Sequence, residues 1–259
     1  MSYYGKLPIV LLSEIASGKE DSYNCRIAAW LLAHLGESIS SEQIAKECFL
    51  SRSAVSRFCR DVGFEDFSEL KDLMSASEKT FEAVSPSDPL ETMVRNVTEQ
   101  AAKSLRTIAA TIDLGAMREL TAAIRKAGRI ACFGLLKAET AALNLQSDLI
   151  MLGKNALTKV SFREQMDFLA SAKEDDLIII FSYRGIYFDY DLPPEIRGCK
   201  AGIWIVTGNP DARKNLSGIR MPIAGVLSFS SDLGFFSHPY QLIAVSTLIA
   251  QSVARSESF

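Results

Sequence analysis

The spacing of the apolar residues changes partway along this chain, and the change restricts the folds that the chain can adopt. Before Leu73 the apolar residues recur at helical spacing, as in Ile27, Leu31 and Leu35, and strand-like runs are missing. From Arg129 onward, short β-type runs are separated by mostly helical segments. The predicted strands are Arg129–Gly134, Ala156–Val160, Leu177–Ser182, Gly202–Thr207 and Ile219–Ala224. This order predicts an all-α N-terminal domain followed by an α/β domain, whose five-stranded parallel sheet is flanked by helices.

A stretch rich in Ser, Glu, Asp and Pro separates the two patterns. It runs from Ser75 to Pro89 and has the composition of a hinge followed by a helix start. An amphipathic helix with an apolar stripe from Leu90 to Ile112 follows, then a second helix over residues 115–127. We therefore expect a helical domain over residues 1–75, a linker and helix over residues 76–112, and an α/β domain over residues 113–259 that closes with a helix over residues 238–255.

The charge and the cysteine content exclude several classes of protein. A net charge of −3 disfavours a protein that coats nucleic acid without regard to sequence, but it allows a basic face on a small DNA reader. The apolar runs are shorter than a membrane-spanning helix and residues 1–12 lack signal-peptide features, so we expect a cytoplasmic protein. The five cysteines are odd in number and lie mostly in apolar stretches. We expect them to be reduced core residues, and we expect no disulfide framework, metal site or cofactor.

Two short helices joined by a tight turn are predicted in the second half of the helical region. Ser40 can cap the first helix, Phe49 and Leu50 interrupt it, and Ser51 can cap the second. On a wheel of about 100° per residue, one arc of the second helix is apolar and consists of Val55, Phe58, Cys59 and Val62. The opposite arc carries short hydroxyls and guanidinium groups, and together with the capping serine it comprises Ser51, Arg52, Ser53, Ser56, Arg57 and Arg60.

This polar arc suits the major groove of DNA. Serine is small enough to allow close approach, and arginine can pair bidentately with guanine or hold a phosphate. No acidic residue occurs from Arg52 to Arg60, and the acids Asp61, Glu65, Asp66 and Glu69 come only afterwards. The alternative is an ordinary solvated helix face, because any surface helix turns polar residues outward.

The segment from Leu50 to Phe64, LSRSAVSRFCRDVGF, followed by FSELK at Phe67–Lys71, resembles the RpiR family of transcriptional regulators. The resemblance is strongest over residues 22–73, and the family's order of a helical DNA-binding domain, a helical linker and a sugar isomerase (SIS) domain fits nearly the whole chain. It implies a double-stranded DNA operator as partner and a role in carbohydrate metabolism, with a phosphosugar or an acidic sugar as effector. One reading helix covers half of a two-fold site, so we expect a homodimer or homotetramer.

The resemblance also implies an effector site at the carboxyl ends of the strands, where open α/β sheets bind ligands. In the family, the first strand is followed by a Gly-x-Gly-x-Ser-like turn. Gly134 keeps the first glycine here, whereas Leu136 replaces the second glycine and Ala138 replaces the serine. We therefore expect the SIS fold with an altered phosphate-binding turn.

The second and third turns also depart from the family's sequences. Of a Ser-x-Ser-Gly turn, Ser182 and Gly185 remain, whereas Arg184 and Tyr187 differ, and Thr207 supplies a hydroxyl after the next strand. The expected effector-binding residues are Gly134, Lys137, Ser182, Arg184, Gly185 and Thr207.

Each of these side chains has a structural alternative. Ser182 and Thr207 can simply cap the next helix. Arg184 either contributes charge to an anionic ligand or fills the vacated pocket with its stem. Lys137 is either an anion contact or a solvated residue.

Two other functions remain open. A sugar-phosphate isomerase would need a general base, and the candidates Glu139, Glu164 and His238 do not lie in a recognisable catalytic motif, so we expect no enzyme. A domain that only dimerises is the other alternative. The stripe from Leu90 to Ile112 and the apolar run in Gln241–Ala250 exceed what one sheet face needs, which predicts an oligomer.

Overall fold

The computed structural model describes residues 6–18, 21–77, 87–185, 187, 196, 198–212, 222–230 and 238–255. These residues fall into two compact units, those up to Glu82 together with Val160–Met166, and those from Ala83 to Lys159 and from Asp167 onward. The predicted hinge includes residues 78–86, which lie outside the described residues. The domain boundary that we expect after residue 75 therefore stays a prediction.

The N-terminal region is helical, as the apolar spacing predicts. In chain order its helices are α1 (Lys6–Ser17), α2 (Tyr23–Ala33), α3 (Ser41–Glu47), α4 (Arg52–Asp61) and α5 (Phe67–Ser75). Their apolar faces form a common core, whose fully buried members include Leu11, Ile27, Leu31, Ile44, Val55, Phe58, Leu70 and Met74. Because these faces point inward, the polar side of each helix is left to solvent.

From residue 90 onward, helices and strands alternate. The elements are α6 (Leu90–Thr111), α7 (Leu114–Lys126), β1 (Arg129–Gly134), α8 (Glu139–Met151), β2 (Ala156–Thr158), α9 (Phe162–Ser171), β3 (Asp176–Phe181), β4 (Gly202–Thr207), β5 (Ile223–Ser228) and α10 (His238–Ala254). The strands form one parallel sheet in the order β2-β1-β3-β4-β5. Every residue of β3 is buried, as expected for a strand covered on both faces. The predicted α/β class with five parallel strands is confirmed.

One strand lies further along the chain than its sequence suggests. We expected Ile219–Ala224, of which residues 219–221 lie outside the described residues, whereas β5 covers Ile223–Ser228. The cause is Gly225, a residue type that is unfavourable within strands. A Cβ at this position would come 2.5 Å from Cη2 of Trp204 on β4, so only glycine lets the indole ring lie against the strand.

All five cysteines are buried and unpaired, as their apolar surroundings predict. None of the described helices has the length and apolar character needed to cross a membrane.

Candidate functional site

Serine caps position the two helices of the predicted DNA-reading segment. The Ser40 hydroxyl accepts a hydrogen bond from the backbone N–H of Gln43 at 3.1 Å, and the Ser51 hydroxyl accepts one from Ala54 at 3.2 Å. Each bond satisfies a backbone donor that the first turn of a helix leaves unpaired. The two helices therefore begin where the sequence predicts.

Helix α4 separates an apolar side from a polar side. Val55, Phe58 and Cys59 are buried. All six predicted reading residues are exposed on the other side, namely Ser51, Arg52, Ser53, Ser56, Arg57 and Arg60. The three serine hydroxyls have local partners, because Ser51 Oγ and Ser53 Oγ lie 2.8 Å apart and Ser56 Oγ donates to the Arg52 carbonyl at 3.3 Å. The guanidinium groups thus dominate the exposed side of α4.

The acids that follow α4 have structural tasks. Asp66 caps α5, since its Oδ1 accepts hydrogen bonds from the N–H groups of Ser68 at 2.8 Å and Glu69 at 3.0 Å. Glu69 Oε2 in turn accepts from the N–H of Glu65 at 2.8 Å, an arrangement similar to a capping box. These two carboxylates therefore hold the start of α5.

The sheet has a topological switch point between β1 and β3. From β1 the chain moves to β2 on one side and then returns to β3 on the other side. Gly134 and Phe181 are paired at the carboxyl ends of these two strands. Open α/β sheets bind ligands at such a point, outside the strand ends. The turns after β1 and β3 are therefore the geometrically favoured ligand site.

The turn after β1 preserves a glycine conformation without its second glycine. A Cβ on Gly134 would lie 2.6 Å from the carbonyl carbon of Ala138, so a side chain there would collide with the backbone of the turn. Leu136 has φ +54°, a left-handed conformation that favours glycine. Ala138 occupies the N-cap of α8 and makes no side-chain capping bond. This turn therefore has a glycine-like conformation at Leu136 and no side-chain hydroxyl at Ala138.

The turns after β3 and β4 are tied together through Thr207. Its hydroxyl donates to the Tyr183 carbonyl at 3.1 Å and accepts from the N–H of Asn209 at 3.1 Å. The side-chain amide of Asn209 donates to the Arg184 carbonyl at 3.1 Å. Thr207 is 0% exposed. This geometry favours the structural alternative for Thr207 over ligand contact.

Ser182 and Arg184 are placed differently from Thr207. The Ser182 hydroxyl makes no hydrogen bond within the part of the chain that the structure describes, and the residue lies directly after β3 at the switch point. Arg184, in the turn after β3, and Lys137, in the turn after β1, are both half-buried. Gly185 has φ +76° and would carry a Cβ 2.9 Å from that of Ala212, so it shapes the turn through its backbone. Of the predicted effector residues, these geometries favour Ser182, Arg184 and Lys137 as side-chain contacts.

Comparison with known proteins identifies the helical domain. Residues 12–79 match the family model described as "Helix-turn-helix domain, rpiR family". Residues 12–79 are therefore a helix-turn-helix domain of the RpiR type, the DNA-binding domain of a transcriptional regulator. The resemblance drawn from the α4 segment is confirmed.

Solved structures with a similar fold include regulators and enzymes. The Vibrio vulnificus NanR protein, complexed with ManNAc-6P, is 17% identical, with 96% of this chain and 91% of that chain covered and a TM-score of 0.51. A putative sugar-phosphate isomerase from Listeria monocytogenes is 16% identical, with 64% and 91% covered and a TM-score of 0.51. A phosphoheptose isomerase from Francisella tularensis is 12% identical, with 65% and 100% covered and a TM-score of 0.50. At these identities the likeness establishes the SIS fold of the second domain.

Glu139, which the sequence suggests only as a catalytic base, is a further candidate functional residue. It stands in the first turn of α8, half-buried, and no described residue forms a hydrogen bond with its carboxylate. Burial raises the pKa of this carboxyl above its ordinary value. Of the other two candidate bases, Glu164 is exposed in the first turn of α9 and His238 begins α10. The signal for Glu139 was its place directly after the altered turn.

Proposed function

We propose that this regulator reads a two-fold symmetric DNA site through the exposed side of α4. The carrying observation is that Arg52, Arg57 and Arg60 share that side with small hydroxyls, and that no acidic residue occurs between them. The N-terminal residues of a recognition helix enter the major groove first, and Ser51 and Arg52 stand there. As a chromosomal DNA-binding protein it would act in the cytoplasm.

The test begins from a duplex enriched from a random pool with the full-length protein. Arg57→Ala and Arg60→Ala should each weaken binding by about 1–3 kcal/mol if they read bases, or reduce the salt slope by about one if they hold phosphates. Lys71→Ala removes a positive charge from an exposed position on α5 and serves as the matched control. Unchanged affinity together with an unchanged salt slope in both arginine variants would eliminate the proposed reading side.

We further propose that the turns flanking the switch point bind an anionic carbohydrate derivative. Support comes from the Ser182 hydroxyl, which has no hydrogen-bond partner among the described residues, beside half-buried Arg184, with Lys137 in the adjacent turn. The similar NanR structure contains ManNAc-6P, and another similar structure is that of a phosphoheptose isomerase. The planar guanidinium of Arg184 could replace lost hydroxyl donors toward a phosphate or a sugar carboxylate. On this proposal the effector modulates a regulator of carbohydrate metabolism.

Thermal shift with ManNAc-6P, sedoheptulose phosphate and glucuronate tests the effector site, because a ligand of the folded state raises apparent stability. Arg184→Ala should abolish the shift without altering DNA binding in the absence of ligand. If Arg184 only fills the pocket, Arg184→Ser should instead create or improve binding. Lys200→Ala, at the amino end of β4, is the charge-matched control. A response that both Arg184 variants retain would place the sensing site elsewhere, and isomerase activity in the same samples would favour an enzyme.

An assembly of two or more copies is the third part of the proposal. The run Gln241–Ala250 contributes less exposed surface than its sequence suggests, because Leu242, Val245 and Ile249 are buried in the core of their own domain. Exposed apolar residues instead lie on α6, α8 and α10, namely Leu90, Val94, Leu143, Ile150, Met151, Tyr240 and Leu248. No Asp, Glu, Lys or Arg occurs in α10. Sedimentation of the full-length protein as a monomer at micromolar concentration would contradict this part.

A further inference from the structure

The turn between α3 and α4 contains an exposed aromatic residue in an unfavourable backbone conformation. Phe49 has φ +54° and is 89% exposed. Left-handed conformations are costly for residues with a Cβ, and for a bulky residue they are rare. The turn is fixed by its backbone, since the N–H of Leu50 donates to the Ala45 carbonyl at 2.8 Å and that of Phe49 to Lys46 at 3.3 Å. Glycine would therefore be the favourable residue at this position.

The fold gains little from the aromatic ring in return for this strain. With 89% of the residue in solvent, the phenyl group removes almost no apolar surface from water, unlike Phe58 and Phe64, which are buried. Strain that is maintained without a packing benefit is characteristic of functional positions. The benefit of Phe49 must then come from a molecule outside the domain.

The position of Phe49 and the charge around it indicate which molecule this is. Phe49 stands two residues before Ser51, the N-cap of α4, at the end of the helix that approaches the groove first. The exposed side of α4 is cationic, which suits a polyanion. In the major groove, the apolar feature of a base edge is the 5-methyl group of thymine, and phenylalanine is among the side chains that contact it.

We propose that Phe49 contacts a thymine methyl group at the edge of the major groove and so adds a position of sequence selectivity to the regulator. This inference rests on the proposed reading side of α4. It assigns to Phe49 a specificity role that is separate from the charge contacts of the arginines. The strain at φ +54° is the cost of holding the ring at the start of the recognition helix.

Phe49→Gly separates this role from a structural one, because thermal stability should rise while affinity for DNA should fall. Removing the strain should raise Tm by a few degrees, while removing the ring should weaken binding to the enriched duplex about tenfold. Replacing thymines one at a time by deoxyuridine should cost the unmodified protein affinity at one position, and Phe49→Gly should be insensitive at that same position. Tyr23→Ala, which removes another exposed aromatic ring of the helical domain, should leave affinity unchanged.

Three results would overturn the proposal. The first is wild-type affinity for DNA in Phe49→Gly, and the second is an equal loss of affinity by Phe49→Gly on the thymine and deoxyuridine duplexes. The third is a fall in the assembly mass of Phe49→Gly without DNA, which would assign the ring to a contact between copies. If Arg57→Ala weakens binding and Phe49→Gly does not, only this inference fails. If neither variant weakens binding, the proposed reading side of α4 fails with it.

Discussion

The reading helix and the sheet-edge turns place their chemistry differently. On α4 the functional groups are side chains on a regular helix, and burial of Val55 and Phe58 determines which way the arginines point. At the sheet edge, the position of Ser182 and the engagement of Thr207 depend on backbone geometry and on contacts between turns. Substitution on the exposed side of α4 should therefore affect binding alone, whereas substitution in the turns should affect stability and binding together.

The largest expected effect is on the buried side of α4. Val55→Asp places an uncompensated charge at a position with 0% exposure, and it should cost about 4 kcal/mol or more, enough to unfold the helical domain. Ser56→Asp, one residue away on the exposed side, should retain the fold and lose DNA binding through repulsion of phosphates. Circular dichroism and a binding assay on both variants make the comparison. A folded Val55→Asp protein would contradict the assigned orientation of α4.

The next effect in size concerns the glycine that the first sheet-edge turn retains. Gly134→Ala would bring a Cβ to 2.6 Å from the backbone of Ala138, and the displacement should cost about 2–3 kcal/mol. Gly153→Ala is the comparison, because Gly153 has a positive φ of +76°, which Gly134 lacks, and no atom lies within 4 Å of the added Cβ, so its loss measures conformational strain alone. Denaturant unfolding should rank Gly134→Ala well below Gly153→Ala. Equal losses would contradict this ranking, because they would mean that close approach at Gly134 costs no more than conformational strain at Gly153.

Sequence periodicity predicted much of the fold because it reports burial. The strands β1 and β4 begin and end where their apolar runs do, and all six predicted reading residues, on α4 and at its N-cap, are exposed. The predicted position of β5 was wrong because Gly225 is required by Trp204, a residue on a different strand. A requirement imposed by a distant residue leaves no periodic signal.

The roles of the hydroxyls at the sheet edge could not be separated by sequence for a similar reason. Ser182 directly follows β3 and Thr207 is the last residue of β4, and both were expected to contact an effector. The structure engages Thr207 with Tyr183 and Asn209, whereas Ser182 has no hydrogen-bond partner for its hydroxyl among the described residues. Local sequence specifies a hydroxyl after a strand, and the neighbouring turn decides whether that hydroxyl is available.

A smaller effect is expected at the opposite, amino edge of the sheet. Asp176 at the start of β3 accepts hydrogen bonds from Arg129 Nε at 2.8 Å and from the N–H of Lys173 at 2.8 Å. The guanidinium of Arg129 holds the pKa of this carboxyl below its ordinary value. Its contribution to stability is therefore present above the ordinary carboxyl pKa and is lost as pH falls through the lowered one.

Asp176→Asn should consequently lower the free energy of unfolding by about 1–2 kcal/mol at neutral pH, and this loss should shrink in acid. The partial exposure of Arg129 keeps the value small. Because this edge is remote from the switch point, the variant should retain any effector response that the unmodified protein has. Unfolding measured from neutral pH downward tests the sign. A loss of stability that stays constant into strong acid would show that the ion pair is not its source.

The smallest expected effect on stability comes from Leu136→Gly, at a sheet-edge residue that can be compared directly with Phe49 in the helical domain. Phe49 and Leu136 are the non-glycine residues of the described chain with positive φ, both +54°, and they differ in burial because Phe49 is exposed and Leu136 is half-buried. Glycine at position 136 relieves strain but gives up apolar contacts, so stability should stay within about 1 kcal/mol of the unmodified protein. In Phe49→Gly the relief has no such offset, and Tm should rise. Thermal unfolding of both variants measures the difference directly.

A marked stabilisation by Leu136→Gly would mean that the leucine contributes nothing to the turn. In that case the double variant Leu136→Gly with Ala138→Ser should also bind phosphosugars more tightly. A marked loss would instead identify Leu136 as a core residue that the altered turn needs in order to fold.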